Sequence, residues 1–258
     1  MQIEGDYTRD GAVCVRDAFT RAEIELARDA IEANLAAPSP LAIIADDARG
    51  RFVEDFCNWQ RIPQIERFIR DTRAAELAHQ LIGGSTVRLY HDHLLVKERG
   101  AQHPTPWHQD LPYYNVDGTR NVSMWIPVDP VPREATLRLL AGSHRGPWFM
   151  PRTFITGQAK WFPEGSLAEL PEIADDDPRI LAWELEPGDA VCFHMLTLHA
   201  AGSASGAHRR RVLSLRFLGD DMVHAPRGWR TSPPFDGLVD ELPAGAPLDH
   251  PLFPLLRG

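Results

Sequence analysis

The sequence predicts a mainly β protein with flanking α-helices, built as a double-stranded β-helix of the jelly-roll, cupin-like kind. Three observations predict it. Short segments of alternating or β-branched residues recur from Ser85 onward, glycine- and proline-rich turns separate them, and the helical patterns lie ahead of that point. Many short strands joined by such turns must pack face to face or close on themselves, and the jelly roll is the form whose mouth most often holds a metal. At 258 residues, 43% hydrophobic and 24% charged, the chain can bury one full core, so a single domain over residues 1–258 is expected.

The elements follow in order. Thr20-Arg-Ala-Glu23 reads as a capping box, and Ile24, Ala27, Ile31 and Leu35 recur behind it at the spacing of one helix face. Ile65, Phe68 and Ile69, then Leu77 and Leu81 ahead of Gly83-Gly84, predict one or two short helices closed by glycine. Residues 1–84 are therefore expected to be a helical N-terminal support. The jelly-roll core is expected over 85–224. There Val87, Leu89, His91 and His93 alternate with Arg88, Tyr90 and Asp92, and further strands are predicted at Asn121–Val128, Ile180–Leu185, Ala190–His194 and Arg210–Leu218. Residues 146–179 interrupt this rhythm with Trp148, Phe149, Trp161, Phe162 and the run Asp175-Asp176-Asp177, and an insertion of that length is expected to be a lid or a disordered excursion. The proline-rich tail 225–258 carries Phe235, Leu238, Leu248 and Phe253, apolar anchors for a strap across the surface.

Composition narrows the function. A net charge of −9 repels a phosphate backbone over most of the surface, which argues against nucleic acid as a partner. Three widely spaced cysteines, Cys14, Cys57 and Cys192, suit a reducing compartment, and the cytoplasm is the expected location. Neither an apolar leader nor a run of roughly 18 apolar residues is present, so no membrane association is expected. A small-molecule substrate remains the expected partner, and oligomeric state is open.

His108-Gln109-Asp110 carries the chemistry. On a strand, residues i and i+2 project from one face, so the imidazole and the carboxylate could reach one metal. With a second imidazole from a distant strand they would form the two-histidine, one-carboxylate triad of non-haem Fe(II) oxygenases, which leaves three positions open for cosubstrate and dioxygen. Among 11 histidines in 258 residues a His-x-Asp triplet arises about once by chance, so context carries the reading: Trp107 before it, Leu111-Pro-Tyr-Tyr114 and a glycine turn after it. His199, behind the turn and strand Pro187–His194, is the expected second imidazole. His194 is expected in the core or supporting a ligand, and His91, His93 and His103 are expected to be structural. The distal carboxylate of 2-oxoglutarate calls for a guanidinium fork. Arg209, Arg210 and Arg211 open the last strand; Arg210 shares a face with Val212, Ser214 and Arg216, and Arg211 with Leu213, Leu215 and Phe217. Parity leaves that choice open.

These segments resemble the phytanoyl-CoA dioxygenase family of Fe(II)/2-oxoglutarate oxygenases, to which ectoine hydroxylase also belongs. The resemblance rests on Trp107-His-Gln-Asp110, Trp125-Ile-Pro-Val-Asp129, Ala141-Gly-Ser-His-Arg145, Leu185-Glu-Pro-Gly-Asp189 leading to His199-Ala-Ala-Gly202, and the opening Gly11–Phe19. It implies iron on His108, Asp110 and His199. It also implies a 2-oxoglutarate anchor at Arg210, eleven residues beyond the distal histidine, with further cosubstrate contacts at Lys97, Trp125 and Gln109. The implied reaction is hydroxylation of an unactivated C–H bond by dioxygen, with succinate and CO2 released. Two alternatives stand beside it, a metal-dependent jelly-roll oxygenase without 2-oxoglutarate and a non-catalytic ligand-binding module. Ala201 departs from the family, which commonly has serine there; one missing neutral hydrogen bond costs about 0.5–1.5 kcal/mol. The family's substrates include acyl thioesters, compatible solutes and secondary metabolites, and no long basic patch here singles out coenzyme A. Tyr113, Tyr114, Trp148, Trp161 and Phe162 either pack in the core, as aromatics in a β-rich domain more often do, or line the substrate side, and Ser143-His144-Arg145 either contacts an acidic substrate or ties down the lid.

Overall fold

A computed structural model describes residues 1–151, 163, 165–203 and 209–258. The chain opens with strand β1 (Gln2–Asp6), the single turn α1 (Tyr7–Asp10) and β2 (Ala12–Arg16), then helix α2 (Arg21–Ala36). A hairpin of β3 (Ile43–Asp47) and β4 (Gly50–Phe56) precedes helices α3 (Pro63–Asp71) and α4 (Ala74–Ile82). The core strands follow: β5 (Val87–Lys97), β6 (Thr105–His108), β7 (Val116–Asp117), β8 (Asn121–Pro127), β9 (Leu137–Leu140), β10 (Ile180–Leu181), β11 (Ala190–Phe193), β12 (His199–Ala201) and β13 (Arg210–Leu218). The tail holds β14 (Val223–His224), α5 (Leu238–Glu241) and β15 (Leu255–Arg257).

The strands form a large antiparallel sheet in the order β1-β2-β11-β8-β13-β5-β4-β3, with β15 added beside β5. A smaller sheet has the order β10-β9-β12-β6. The inner faces meet over Cys14, Trp125, Val191, Phe193 and Val212 of the large sheet and Leu137, Leu139 and Ala201 of the small one. The outer face of the large sheet is covered by α2, α3 and α4. Ile24, Ile31, Ile65, Phe68 and Leu77 pack there against Met124, Leu213, Leu215 and Phe217, each large apolar side chain contributing about 1.5–3 kcal/mol by leaving water. The capping box on Thr20 forms as expected, with the Thr20 hydroxyl accepting from the Glu23 amide and the Glu23 carboxylate accepting from the Thr20 amide.

This layering resolves the parity of the last strand. Leu213, Leu215 and Phe217 turn outward to the helices, so Arg210, Val212, Ser214 and Arg216 face the interior. Arg211 goes outward with the first set, pairing with Asp129 and Glu32.

The N-terminal third departs from the helical expectation. Four of its segments, β1 to β4, extend the large sheet on both sides. The hairpin gives no hydrophobic alternation because both faces of β4 hold buried acids. Asp55 accepts hydrogen bonds from Asn34 and Ser39 on one face, while Glu54 faces the interior on the other. Of the strand expected at Ile180–Leu185 only Ile180–Leu181 forms, although Leu185 makes an isolated bridge to Val131. The tail buries Leu238, Leu248 and Phe253 against Tyr90, Tyr114 and Met222. Of the insertion 146–179, Trp161 and Phe162 lie outside the described residues. Among the described residues, no helix is long and apolar enough to cross a membrane.

Candidate active site

β6 and β12 are neighbours in the small sheet, in a register that sets His108 directly opposite His199. A 91-residue separation in sequence thus becomes a pair of rings with centroids 4.1 Å apart. Asp110 arrives differently from the strand alternation expected for it. β6 ends at His108, and Asp110 has helical dihedrals (φ −76°, ψ −46°) at the start of a 3-10 turn over 111–113. The amides of Asp110 and Leu111 both donate to the Met195 carbonyl at 2.8 and 2.9 Å, which fixes this turn against the loop that leads to His199. Asp110 Oδ1 then lies 3.7 Å from His108 Nε2 and 3.6 Å from His199 Nε2, and the three ligand atoms all fall within 4.8 Å of one another.

The remaining atoms of the triad are held by the chain. Nδ1 of His108 bonds the Pro106 carbonyl at 2.8 Å and Nδ1 of His199 the Thr197 carbonyl at 2.9 Å. A ring nitrogen facing a carbonyl must be the protonated one, so each Nε2 turns its lone pair toward the shared centre. Asp110 Oδ2 accepts from Ser123 Oγ at 2.8 Å and from Arg216 Nη2 at 3.1 Å, leaving Oδ1 aimed at the histidines. Arg216 is itself buried and braced by the Tyr114 hydroxyl and Ser214.

Electrostatics favours the ligating protonation states. Burial, then the neighbouring His199, pulls His108 down to about 3, and burial likewise lowers His199. Both are neutral imidazoles near pH 7. Burial alone would raise the Asp110 carboxyl, but Arg216, His199, His108 and the Ser123 hydroxyl outweigh it and hold it well below the usual carboxylate range. Two neutral imidazoles and one carboxylate, buried and converged, are a donor set suited to a divalent first-row metal.

The triad opens into a cavity lined by both polar and aromatic side chains. Arg210, Lys97 and Trp125 all line it. Arg210, 7% exposed, stacks over Trp125 at 5.8 Å and donates to the carbonyls of Ala135 and Gly202. Lys97, 2% exposed, is its register partner on β5 and donates to Gly202 O at 3.2 Å and Thr105 Oγ1 at 3.4 Å. Gly202 is needed for this approach, since a Cβ there would sit 2.4 Å from the Glu134 carbonyl. Among the described residues neither cation has a carboxylate within ion-pair distance. Burial lowers Arg210 to about 10, still charged at neutral pH, whereas burial and the Arg210 charge bring Lys97 down to about 6.

Gln109 does not reach the cavity, contrary to the cosubstrate contact expected of it. Its amide donates to the Pro147 and Leu196 carbonyls and its oxygen accepts from the Phe149 amide, so it ties the start of the insertion to the metal-binding turn. Tyr113 and Tyr114 line the cavity, whereas Trp148 lies under Arg227. The Ser143–Arg145 turn faces away, with Arg145 donating to the Thr8 and Arg9 carbonyls. His194 is engaged by Thr119 and Leu196 and stands outside the triad. Sequence reasoning missed Arg216, Ser123 and Glu54. The signal for Arg216 was present, because it shares the alternation of Arg210; Glu54 gave none.

The model of the family described as phytanoyl-CoA dioxygenase (PhyH) matches residues 7–212. A Caenorhabditis elegans protein named "Probable phytanoyl-CoA dioxygenase" is 22% identical over 242 residues, covering 84% of this chain and 74% of its own. Among solved structures, the non-haem α-ketoglutarate-dependent carbocyclase SnoK from nogalamycin biosynthesis is similar with TM-score 0.74 and 22% identity, over 97% of this chain and 94% of that one. The epimerase SnoN, in complex with Fe3+, α-ketoglutarate and nogalamycin RO, is similar with TM-score 0.73 and 24% identity, over 97% and 96%. With the family's model matched over most of the sequence and a His-Asp-His group converged in its interior, the chain belongs to the phytanoyl-CoA dioxygenase family of iron- and 2-oxoglutarate-dependent oxygenases.

Proposed function

We propose that the protein is an Fe(II)- and 2-oxoglutarate-dependent dioxygenase that hydroxylates an unactivated C–H bond of a small organic substrate, releasing succinate and CO2. The observation that carries this reading is the pairing of two features in one cavity, a His-Asp-His donor set with neutral imidazoles and a buried arginine that has no carboxylate within ion-pair distance among the described residues. When bound, iron and 2-oxoglutarate supply the oxidising chemistry.

The chain's residues divide the remaining work. His108, Asp110 and His199 would hold the metal. Arg210 would hold the distal carboxylate of 2-oxoglutarate, with its guanidinium positioned by the Trp125 ring beneath it. Lys97 adds a second donor. The hydroxyl absent at Ala201 has a counterpart across the small sheet, since Thr105 is the register partner of Ala201 and lines the same cavity. A buried cation without a counterion among the described residues favours a dianionic cosubstrate over either alternative, an oxygenase without 2-oxoglutarate or a vestigial metal site.

The test is aerobic turnover of 2-oxoglutarate by the Fe(II)-loaded protein. Succinate formation that requires both Fe(II) and dioxygen is expected, alongside thermal stabilisation of the chain by 2-oxoglutarate in the absence of oxygen. Absence of both stabilisation and succinate sinks the reading.

A further inference from the structure

The wall of the cavity formed by β4 and β5 carries two polar groups that neither the metal nor the proposed cosubstrate anchor uses. Glu54, 5% exposed, and His93, 8% exposed, both line the cavity. Oε2 of Glu54 and Nε2 of His93 lie 3.4 Å apart, yet their geometry makes no hydrogen bond, and neither atom has another hydrogen-bond partner among the described residues. Buried polar atoms left this way are rare and mark a place where a further group is expected. Around them the wall is aromatic and apolar. Phe56 stacks on His93 with centroids 4.1 Å apart and planes at 23°, and Phe52, Leu95 and Phe193 also line the cavity.

We propose that Glu54 and His93 form the substrate-orienting subsite of this cavity, binding a hydroxyl carried on a ring: the hydroxyl hydrogen-bonds both Oε2 and Nε2, and the ring lies against the phenylalanine-rich wall. This rests on the proposed function, which makes the cavity a substrate site. A hydroxyl both donates and accepts, so it can give its proton to the Glu54 carboxylate while accepting from Nε2–H of His93. An ammonium only donates, so it cannot accept from Nε2–H of His93. A carboxylate or phosphate would face Glu54. The selecting residue comes from the β3–β4 hairpin, which lies at the outer edge of the large sheet, so specificity is set by an element outside the metal-binding strands.

The full chain, labelled with 15N-histidine, can be titrated with resorcinol and, in parallel, with 1,3-dimethoxybenzene, which keeps the ring and loses both O–H groups. The His93 side-chain signal, assigned by its loss in His93→Leu, is expected to shift with resorcinol, which should bind about tenfold tighter than the diether. In Glu54→Leu that preference should fall below twofold, and in Glu54→Gln, which retains an accepting oxygen and the side-chain shape, part of it should remain. Equal binding of the two probes to the native chain, or a preference unchanged in Glu54→Leu, overturns the subsite. These titrations run on the metal-free chain and read the subsite directly. Stabilisation of the native chain by 2-oxoglutarate is measured separately, so loss of the proposed function is told apart from loss of this inference.

Discussion

The two sides of the cavity are finished to different degrees. At the metal pole, both oxygens of Asp110 are directed, one by Ser123 and Arg216 and one toward the histidines, and the Nδ1 atoms of both imidazoles face backbone carbonyls. On the β4–β5–β13 wall, among the described residues, Arg210 and Lys97 reach only neutral oxygens, and Glu54 and His93 present polar atoms with no hydrogen-bond partner. The first region is preorganised by the chain itself, whereas the second, on the functions proposed for it, is completed by cosubstrate and substrate. On that proposal a rigid pole fixes where the chemistry occurs, and the incomplete wall decides what is brought to it.

The largest effect is expected where the finished pole is broken. Asp110→Ala and His199→Ala should weaken Fe(II) binding by more than the ~100-fold that supporting partners typically cost, and abolish succinate formation. Anaerobic metal titration checks this, and retention of native metal affinity in either variant would dissolve the contrast drawn above. Next comes the anchor on the incomplete wall. Arg210→Ala should raise the Kd for 2-oxoglutarate by about 10- to 150-fold, the equivalent of losing ~1.5–3 kcal/mol of charged hydrogen bonding, with metal affinity changed little. Calorimetric titration of both ligands on one variant sharpens the comparison, because only one of them should respond. Arg216→Leu should do the converse, lowering Fe(II) affinity by about 10- to 100-fold by releasing Oδ2 of Asp110, with a smaller change at 2-oxoglutarate.

The smallest effect is a pH dependence that belongs to the wall alone. Lys97 is depressed to about 6 from its ordinary 10.5, so at pH 7.5 the ligand-free site holds it largely neutral. A bound dicarboxylate favours the ammonium, so 2-oxoglutarate binding should take up as much as one proton, and affinity should fall by up to about tenfold per pH unit above pH 6. Titrations at constant pH in two buffers of different ionisation enthalpy measure the uptake, and Lys97→Met should remove it. The same group makes the stability of the ligand-free chain rise with pH between about 6 and 10.5, since the unfolded chain binds the proton that the folded one does not.

Much of this arrangement was legible in the residues. Capping at Thr20, the helical stripes, the strand Arg210–Leu218 with its period of two, and the pairing of His108 with Asp110 are all local patterns, set by neighbours within a turn or two of the backbone. What such patterns omit is which face is inside. Arg210 and Arg211 have equal claims until α2 to α4 cover one side of β13, and Arg216 enters the site by the same decision. Asp110 keeps its place beside His108 although the strand ends before it, because a turn anchored on the Met195 carbonyl supplies the geometry that alternation was expected to supply. The β3–β4 hairpin escaped notice because its buried acids break the hydrophobic rhythm, and that is also why it brings Glu54 to the cavity.

The sequence by itself determined the chemical inventory: the ligand types, the guanidinium on the last strand, and the short elements that carry them. Tertiary structure alone decided the meeting of His108 with His199, the inward face of β13, and the pairing of Glu54 with His93 across two strands. The physical reason is range. Propensity and side-chain period act over a few residues, whereas strand register and the choice of which layer covers which face are settled by burial across the whole domain.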